Sequence, residues 1–221
     1  MSSSDKQIIR VGARKSQLSQ AQVREVFQEL LSYHPHIEFE PVWILTSGDL
    51  DQKTSLKTLG KVDFFTKEID QRLLDGEVSI AIHSAKDLPD PLPEGLCRVA
   101  LTRGLDASDA LVLRDGETLE NLRAGARIGT SSARREVAIQ MLRSDLVCVD
   151  IRGVIEKRLE LLDQGHVDGV VAAEAALIRL GLQGRSRIIL EGESAPFQGQ
   201  LAVLARLGDK EMSELFSWGR K

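Results

Sequence analysis

Gly129-Thr130-Ser131-Ser132-Ala133-Arg134-Arg135 follows the short run Ala126-Arg127-Ile128 and precedes apolar residues at helical spacing, Val137, Ala138, Met141 and Leu142. That order predicts a strand, a turn and a helix, which is the repeating step of an α/β fold. Glycine permits a sharp turn. Thr130, Ser131 and Ser132 are N-cap candidates whose oxygens can accept from the first helical N–H groups. Arg134 and Arg135 then fall in the first helical turn, where the macrodipole disfavours an exposed cation by roughly 0.3–1 kcal/mol. Guanidinium forks, hydroxyls and backbone N–H groups aimed the same way make an anion-binding cup. Taken alone, the motif reads equally well as a solvated basic turn.

The same arrangement recurs along the chain. Ile8–Gly12 predicts a first strand, Ala13-Arg14-Lys15-Ser16 a turn, and Leu18, Ala21, Val26, Phe27, Leu30 and Leu31 the apolar face of a helix. Glu38–Leu45 predicts a second strand, Leu50–Val62 a loop, and Phe64–Leu74 a helix with Phe65, Ile69, Leu73 and Leu74 facing inward. Val78–Ile82 predicts a buried strand running into His83-Ser84-Ala85-Lys86-Asp87-Leu88-Pro89, and Leu96–Leu101 a further strand. Later, Leu146–Ile151 leads to Arg152-Gly153 and a helix bearing Arg158, and Asp168–Ala173 precedes a helix ending near Leu180. Gln198–Leu207 is a last apolar stretch. Strands alternating with helices predict mostly parallel sheets, whose ligands collect at the carboxyl ends of the strands. The basic turns sit at those ends: Arg14 with Ser16, Lys86 with Ser84, Arg134 with Arg135, Arg152 with Arg158. Their recurrence favours one cleft for a ligand with several carboxylates or phosphates.

Asp87 is the exception among these cations. It follows a buried strand beside Lys86, where neighbouring cations favour its ionised form and burial opposes it. A carboxylate so placed can stabilise a developing cation or pass a proton; a turn aspartate ahead of Pro89 is the other reading. His83 reads as a packed strand-end histidine. There is no nucleophile triad, metal cluster, Walker loop or G-x-G-x-x-G fingerprint.

The totals narrow the ligand. The chain has 221 residues and a formal net charge of −4, with 42% hydrophobic, 28% charged and 4% aromatic residues. Local basic turns on an acidic whole suit a small anionic ligand better than a nucleic acid, which favours a broad basic face and stacking aromatics. No run is long enough to span a membrane, and the polar start Met1–Gln7 carries no apolar signal core, so a cytoplasmic protein is expected. Cys97 and Cys148, in strand-like surroundings, read as packed thiols without metal-ligand spacing.

H-S-A-K-D-L-P at 83–89, G-T-S-S-A-R-R at 129–135, G-A-R-K-S-Q-L-S at 12–19, Arg152-Gly153 and A-A-L-I-R-L-G-L at 175–182 together resemble the porphobilinogen deaminase (hydroxymethylbilane synthase) family. The resemblance runs from about Ile9 to Arg206, with the motifs in the family's order. It implies an α/β fold of two periplasmic-binding-protein-type domains with the active site in the cleft between them. The first would comprise residues 1–103 and 198–221, and the second 104–197. It also implies an enzyme of tetrapyrrole (heme) biosynthesis that joins four porphobilinogen molecules into hydroxymethylbilane, releasing ammonia, on a dipyrromethane primer. Loss of ammonia leaves a cationic azafulvene, which needs a carboxylate, and each pyrrole brings an acetate and a propionate, which need arginines.

Carried over position by position, Asp87 matches the catalytic aspartate. Arg14, Ser16, Ser84, Lys86, Thr130, Ser131, Ser132, Arg134, Arg135, Arg152, Arg158, Arg179 and Gln198 match positions that hold primer or substrate, with Asp49 and Phe65 nearby. No metal is implied, and porphobilinogen is the expected partner. The family continues into a third domain whose cysteine bonds the primer. This chain stops at Lys221, about where that domain begins, and neither Cys97 nor Cys148 takes the cysteine's position. The expectation is therefore a form lacking that domain, with covalent attachment and oligomeric state left open. Val62, Val154 and Gln200 also replace the family's usual lysine, asparagine and alanine. A relative that binds pyrroles without turnover is the alternative reading.

Overall fold

The computed structural model describes residues 6–51 and 63–219. The expected loop over Leu50–Val62, with the Val62 replacement, lies outside them from residue 52 onward. In chain order the described residues form β1 (Gln7–Arg14), α1 (Gln17–Leu31), β2 (Ile37–Ile44), α2 (Ser47–Leu50), α3 (Lys67–Leu74), β3 (Ile80–Ser84) and β4 (Leu96–Leu101). There follow β5 (Asp109–Val112), β6 (Arg127–Gly129), α4 (Ala133–Leu142), β7 (Val147–Val149), α5 (Ile155–Asp163) and β8 (Gly169–Ala173). The chain ends with α6 (Glu174–Arg179), β9 (Arg187–Leu190), β10 (Leu201–Arg206) and α7 (Lys210–Leu215). Two compact units result, one of residues 6–50, 63–104 and 200–219, the other of residues 51 and 105–199.

The first unit is a five-stranded sheet in the order β2-β1-β3-β10-β4. β1 runs parallel to β2 and β3, whereas β10 is antiparallel to both β3 and β4. The sheet is thus mixed rather than mostly parallel. The reason is the route of the chain: β10 starts at Leu201, paired with Ser84 at the far end of β3, and must run back down the sheet. Successive side chains of a strand alternate faces. Along β10, Leu201, Val203 and Ala205 join Val23, Val26 and Leu30 of α1, while Leu204 joins Ile69 and Leu73 of α3. Both faces of the central strands are covered, and β3 opens on the apolar run Ile80-Ala81-Ile82 for that reason. α3 begins at Lys67, later than expected, and its buried stripe is Ile69, Asp70 and Leu73, which turns Leu74 outward to 38% exposure.

The second unit repeats the plan as β7-β6-β8-β5-β9, with β6 parallel to β7 and β8, and β5 antiparallel to β8 and β9. β9, which sequence patterning did not single out, is a short edge strand held by a salt bridge. Arg187 donates from Nε and Nη2 to the buried Glu174 carboxylate at 2.7–3.0 Å. α4 lies on a different face from the one expected. Ile139 is fully buried, with Ala138 and Leu142 packed beside it, but Val137 and Met141 are 60% and 79% exposed. The inward stripe is Arg135, Ala138, Ile139 and Leu142, an i, i+3, i+4, i+7 pattern that begins with a charged residue.

Candidate active site

Each unit gathers its expected site residues at the carboxyl ends of its parallel strands. In the first unit, Arg14 closes β1 and Ser84 closes the neighbouring β3. Ser16 is the N-cap of α1, its hydroxyl accepting from the Ser19 N–H at 3.2 Å, so it fixes the helix start. The Arg14 guanidinium donates to both oxygens of Asp49, and its carbon lies 4.5 Å from the centre of the Phe65 ring. This stacking explains why Phe65 precedes α3 instead of entering the core. Burial pushes the Asp49 carboxyl up, but Arg14 and the Thr46 N–H and hydroxyl outweigh it and hold Asp49 below its ordinary value. Ser84 Oγ accepts from Gln22 Nε2 at 2.8 Å, which leaves the serine proton to donate elsewhere.

Asp87 ends a single 3₁₀ turn, Ala85–Asp87, directly after β3, with Lys86 half-buried beside it. Its carboxylate is exposed and has no hydrogen-bond or ion-pair partner among the described residues. The expected burial is therefore absent, and so is the alternative of a turn-capping aspartate. Gln200's carbonyl accepts from the Ala85 N–H at 3.0 Å and anchors the turn. His83 points away, fully packed, with Nε2 3.1 Å from Asp70 Oδ1, which supports its reading as a core histidine.

In the second unit, Thr130, Ser131 and Ser132 connect β6 to α4. Gly129 is needed here for space and not for the turn. It lies within β6, and a Cβ would come 2.5 Å from Ile151 Cδ1. Ser132 occupies the N-cap position but makes no side-chain cap bond. Buried Thr130 instead accepts from the Ser132 N–H at 3.3 Å, and Ser131 donates to the Ile151 carbonyl. That bond brings the β6 turn against the Arg152-Gly153 turn after β7. There Arg158 Nε donates to the Gly153 carbonyl at 2.9 Å. The turns that carry the hydroxyls, Arg152 and Arg158 are therefore adjacent, with Arg152 Nη2 donating to the Asp51 carbonyl at 2.8 Å.

Arg134 and Arg135 converge on a residue the sequence reading missed. Asp109, 4% exposed at the start of β5, accepts from Arg134 through Oδ2 and from Arg135 Nε and Nη2 through Oδ1 at 3.1 and 2.7 Å. β5 is antiparallel to β8, so its first residue lies at the carboxyl end of β8, paired with Ala173. Burial raises the Asp109 carboxyl, and the two guanidiniums more than compensate, leaving it below its ordinary value. Arg135 is the inward residue of α4 because this carboxylate holds it. Gln198, 4% exposed, joins the group through Nε2, donating to Asp109 Oδ1 and to the carbonyls of Ala107 and Ser108 at 2.7–3.1 Å. Arg179 Nη2 donates to the Gly199 carbonyl at 2.8 Å, so its guanidinium secures the Gln198-Gly199 turn. A polar residue heading the apolar run Asp109-Ala110-Leu111-Val112-Leu113 was the available signal for Asp109.

Two α/β units carry arginines and hydroxyls at their strand ends, and solved structures share the fold. The methionine binding protein MetQ superposes with a TM-score of 0.60 at 15% identity, over 96% of this chain and 89% of that one. A periplasmic substrate-binding protein of an ABC transporter from Coxiella burnetii gives 0.59 at 15% identity, over 96% and 92%. The fold class is thus two domains of the periplasmic-binding-protein type. Within that class, residues 9–214 match the family described as porphobilinogen deaminase, dipyrromethane cofactor binding domain. The chain is 38% identical to the porphobilinogen deaminase of Streptococcus sanguinis over 95% of its own length and 71% of that protein's. It is 41% identical to that of Desulforudis audaxviator over 93% and 67%. The chain belongs to the porphobilinogen deaminase family.

The family's dipyrromethane carries two acetates and two propionates, and the donor chemistry present suits it. Guanidiniums and hydroxyls line the strand ends, and the counter-carboxylates, half-buried Asp49 and buried Asp109, keep each arginine group ordered without cancelling Asp109's two cations.

Proposed function

We propose that this chain condenses porphobilinogen into a linear tetrapyrrole with release of ammonia, Asp87 being the reacting carboxylate. The observation that carries the reading is the contrast between Asp87 and the other site carboxylates. Asp49 and Asp109 are committed to arginines, whereas Asp87 is exposed and, among the described residues, unpartnered on a hydrogen-bonded turn beside Lys86. A carboxylate kept open at a strand end is available to a cation that forms transiently.

In the proposed step the C–N bond of the substrate's protonated aminomethyl group breaks and its electron pair leaves with nitrogen as ammonia. The pyrrole nitrogen supplies the compensating electrons and becomes cationic. Asp87 stands against that charge, and the methylene carbon then bonds to the α-carbon of the growing chain, which releases its hydrogen as a proton. Dipyrromethane, when bound, supplies the first such α-carbon. Arg14, Lys86 and Ser84 would orient the substrate's acetate and propionate near Asp87, and Arg134, Arg152, Arg158, Ser131 and Ser132 would hold carboxylates of the pyrrole chain. Ser16, Thr130, Arg179 and Gln198 would shape these groups through the bonds described above.

Two measurements on the purified chain test this. Ehrlich's reagent follows porphobilinogen consumption, and intact mass after denaturation reports a covalent primer. Consumption with one ammonia released per pyrrole is expected. Saturable porphobilinogen binding with no consumption would refute turnover and leave a pyrrole-binding relative.

A further inference from the structure

Asp109 places a negative charge inside the group whose function is to attract one. Its carboxylate is almost completely buried, takes bonds from three side chains on two further segments, and belongs to none of the residues expected to meet the ligand. The two arginines it holds are not equivalent. Arg135 commits Nε and Nη2 to Asp109 and Nη1 to the Val171 carbonyl at 3.3 Å, and its side chain is 12% exposed. Arg134 gives Nη2 to Asp109 and Nη1 to the Glu193 carbonyl, keeps Nε unengaged among the described residues, and is 31% exposed.

We propose that Asp109 is the resident anion of the cup and a positioning residue for ligand binding, dividing the labour of the two arginines. Arg135 becomes the fixed floor, and Arg134 is left as the arginine that meets the ligand's carboxylate. With two guanidiniums and one carboxylate, the group keeps a single net positive charge, matched to one ligand carboxylate. It is also assembled before the ligand arrives, so little ordering remains to be done on binding. Gln198 extends the arrangement to the 191–199 segment, since its amide and the Arg134–Glu193 bond both tie that segment to Asp109. The identity of the ligand, a pyrrole carboxylate, rests on the function proposed above; the role of Asp109 as resident anion does not.

The experiment has two arms to keep those apart. In the first, Asp109→Ala is melted in sodium formate and in sodium chloride at equal ionic strength, with Asp109→Gly in reserve if the alanine variant does not fold. Formate fits the vacated space and should raise the melting temperature saturably, by about 3–6 °C at 100 mM for a dissociation constant of ~10 mM. The wild type and Asp109→Asn should show no such difference. A variant that responds to formate no more than the wild type, or failure of both variants to fold even in formate, would overturn the proposal.

In the second arm, Asp109→Asn keeps the shape and loses the charge. KM for porphobilinogen should rise about tenfold or more, with kcat of the folded enzyme within roughly threefold. If Asp109 only offset charge, KM would fall; if it only held the fold, the active fraction would fall at unchanged KM. Either result defeats the proposal. A wild type that does not consume porphobilinogen defeats the function instead, and the formate arm still decides the role of Asp109.

Discussion

On the proposed function, replacing Asp87 by asparagine should separate catalysis from stability. The side chain is exposed, has no partner among the described residues and ends a turn held by backbone bonds. Its removal should therefore change stability by no more than about 0.5 kcal/mol. For a chain of this size that corresponds to a melting shift within about 2 °C. The chemistry loses more. A carboxylate against a developing cation, or one passing a proton, contributes about 10²–10⁴ in rate, equivalent to ~2.7–5.5 kcal/mol of barrier. Asparagine keeps the size and hydrogen-bonding capacity of the side chain while removing its charge, so KM should change little. The assay is porphobilinogen consumption beside a thermal melt by circular dichroism on the same preparation. Turnover retained within about threefold would remove Asp87 from the mechanism. A drop of more than about 5 °C would mean that the turn depends on it in a way the observed bonds do not explain.

Other perturbations test the framework around the site. Gly199 has φ +85°, and a Cβ there would lie 2.2 Å from the Asp106 carbonyl oxygen, so Gly199→Ala should destabilise by about 3 kcal/mol or more in urea titration. Ile139→Ala, which empties a fully buried site under α4, should lose about 2–5 kcal/mol, whereas Met141→Ala on the same helix should be nearly neutral in the same titration. Asp49, Asp109 and Asp168 are held below their ordinary values in the folded state, against burial, by Arg14, by Arg135 with Arg134, and by the Arg127 N–H with Arg114 and Arg123 respectively. The unfolded chain binds protons at these groups first, so their stabilisation is full above about pH 4 and is lost as pH falls through the folded values. Stability against pH should therefore decline on the acid side, and Asp109→Asn should flatten that decline. Glu174→Gln should loosen the edge strand β9, seen as faster amide exchange at Ile188 and Leu190 than in the wild type.

Much of the architecture was legible in the order of residues, because local periodicity and turn chemistry are written locally. The strand Leu96–Leu101, the helix after Ser16 and the cationic turns at the ends of β1, β3, β6 and β7 all follow from such patterns. The family, too, was carried by motifs within single turns: H-S-A-K-D-L-P and G-T-S-S-A-R-R. What remained hidden depended on residues far apart in the chain. The antiparallel placement of β10 follows from where the chain re-enters the first unit, and the short β9 from its pairing with the distant β5, to which the Arg187–Glu174 ion pair adds. The face of α4 depended on Asp109, whose carboxylate reaches across 26 residues to draw Arg135 inward and turn Val137 and Met141 to solvent. By itself, then, the sequence determined which cations stand at the strand ends and which family they mark. Only the tertiary structure decided which carboxylates are committed to those cations and that Asp87, among the described residues, is left open. Pairing is a matter of distance and burial, and a Coulomb energy depends on separations in space that no spacing along the chain records.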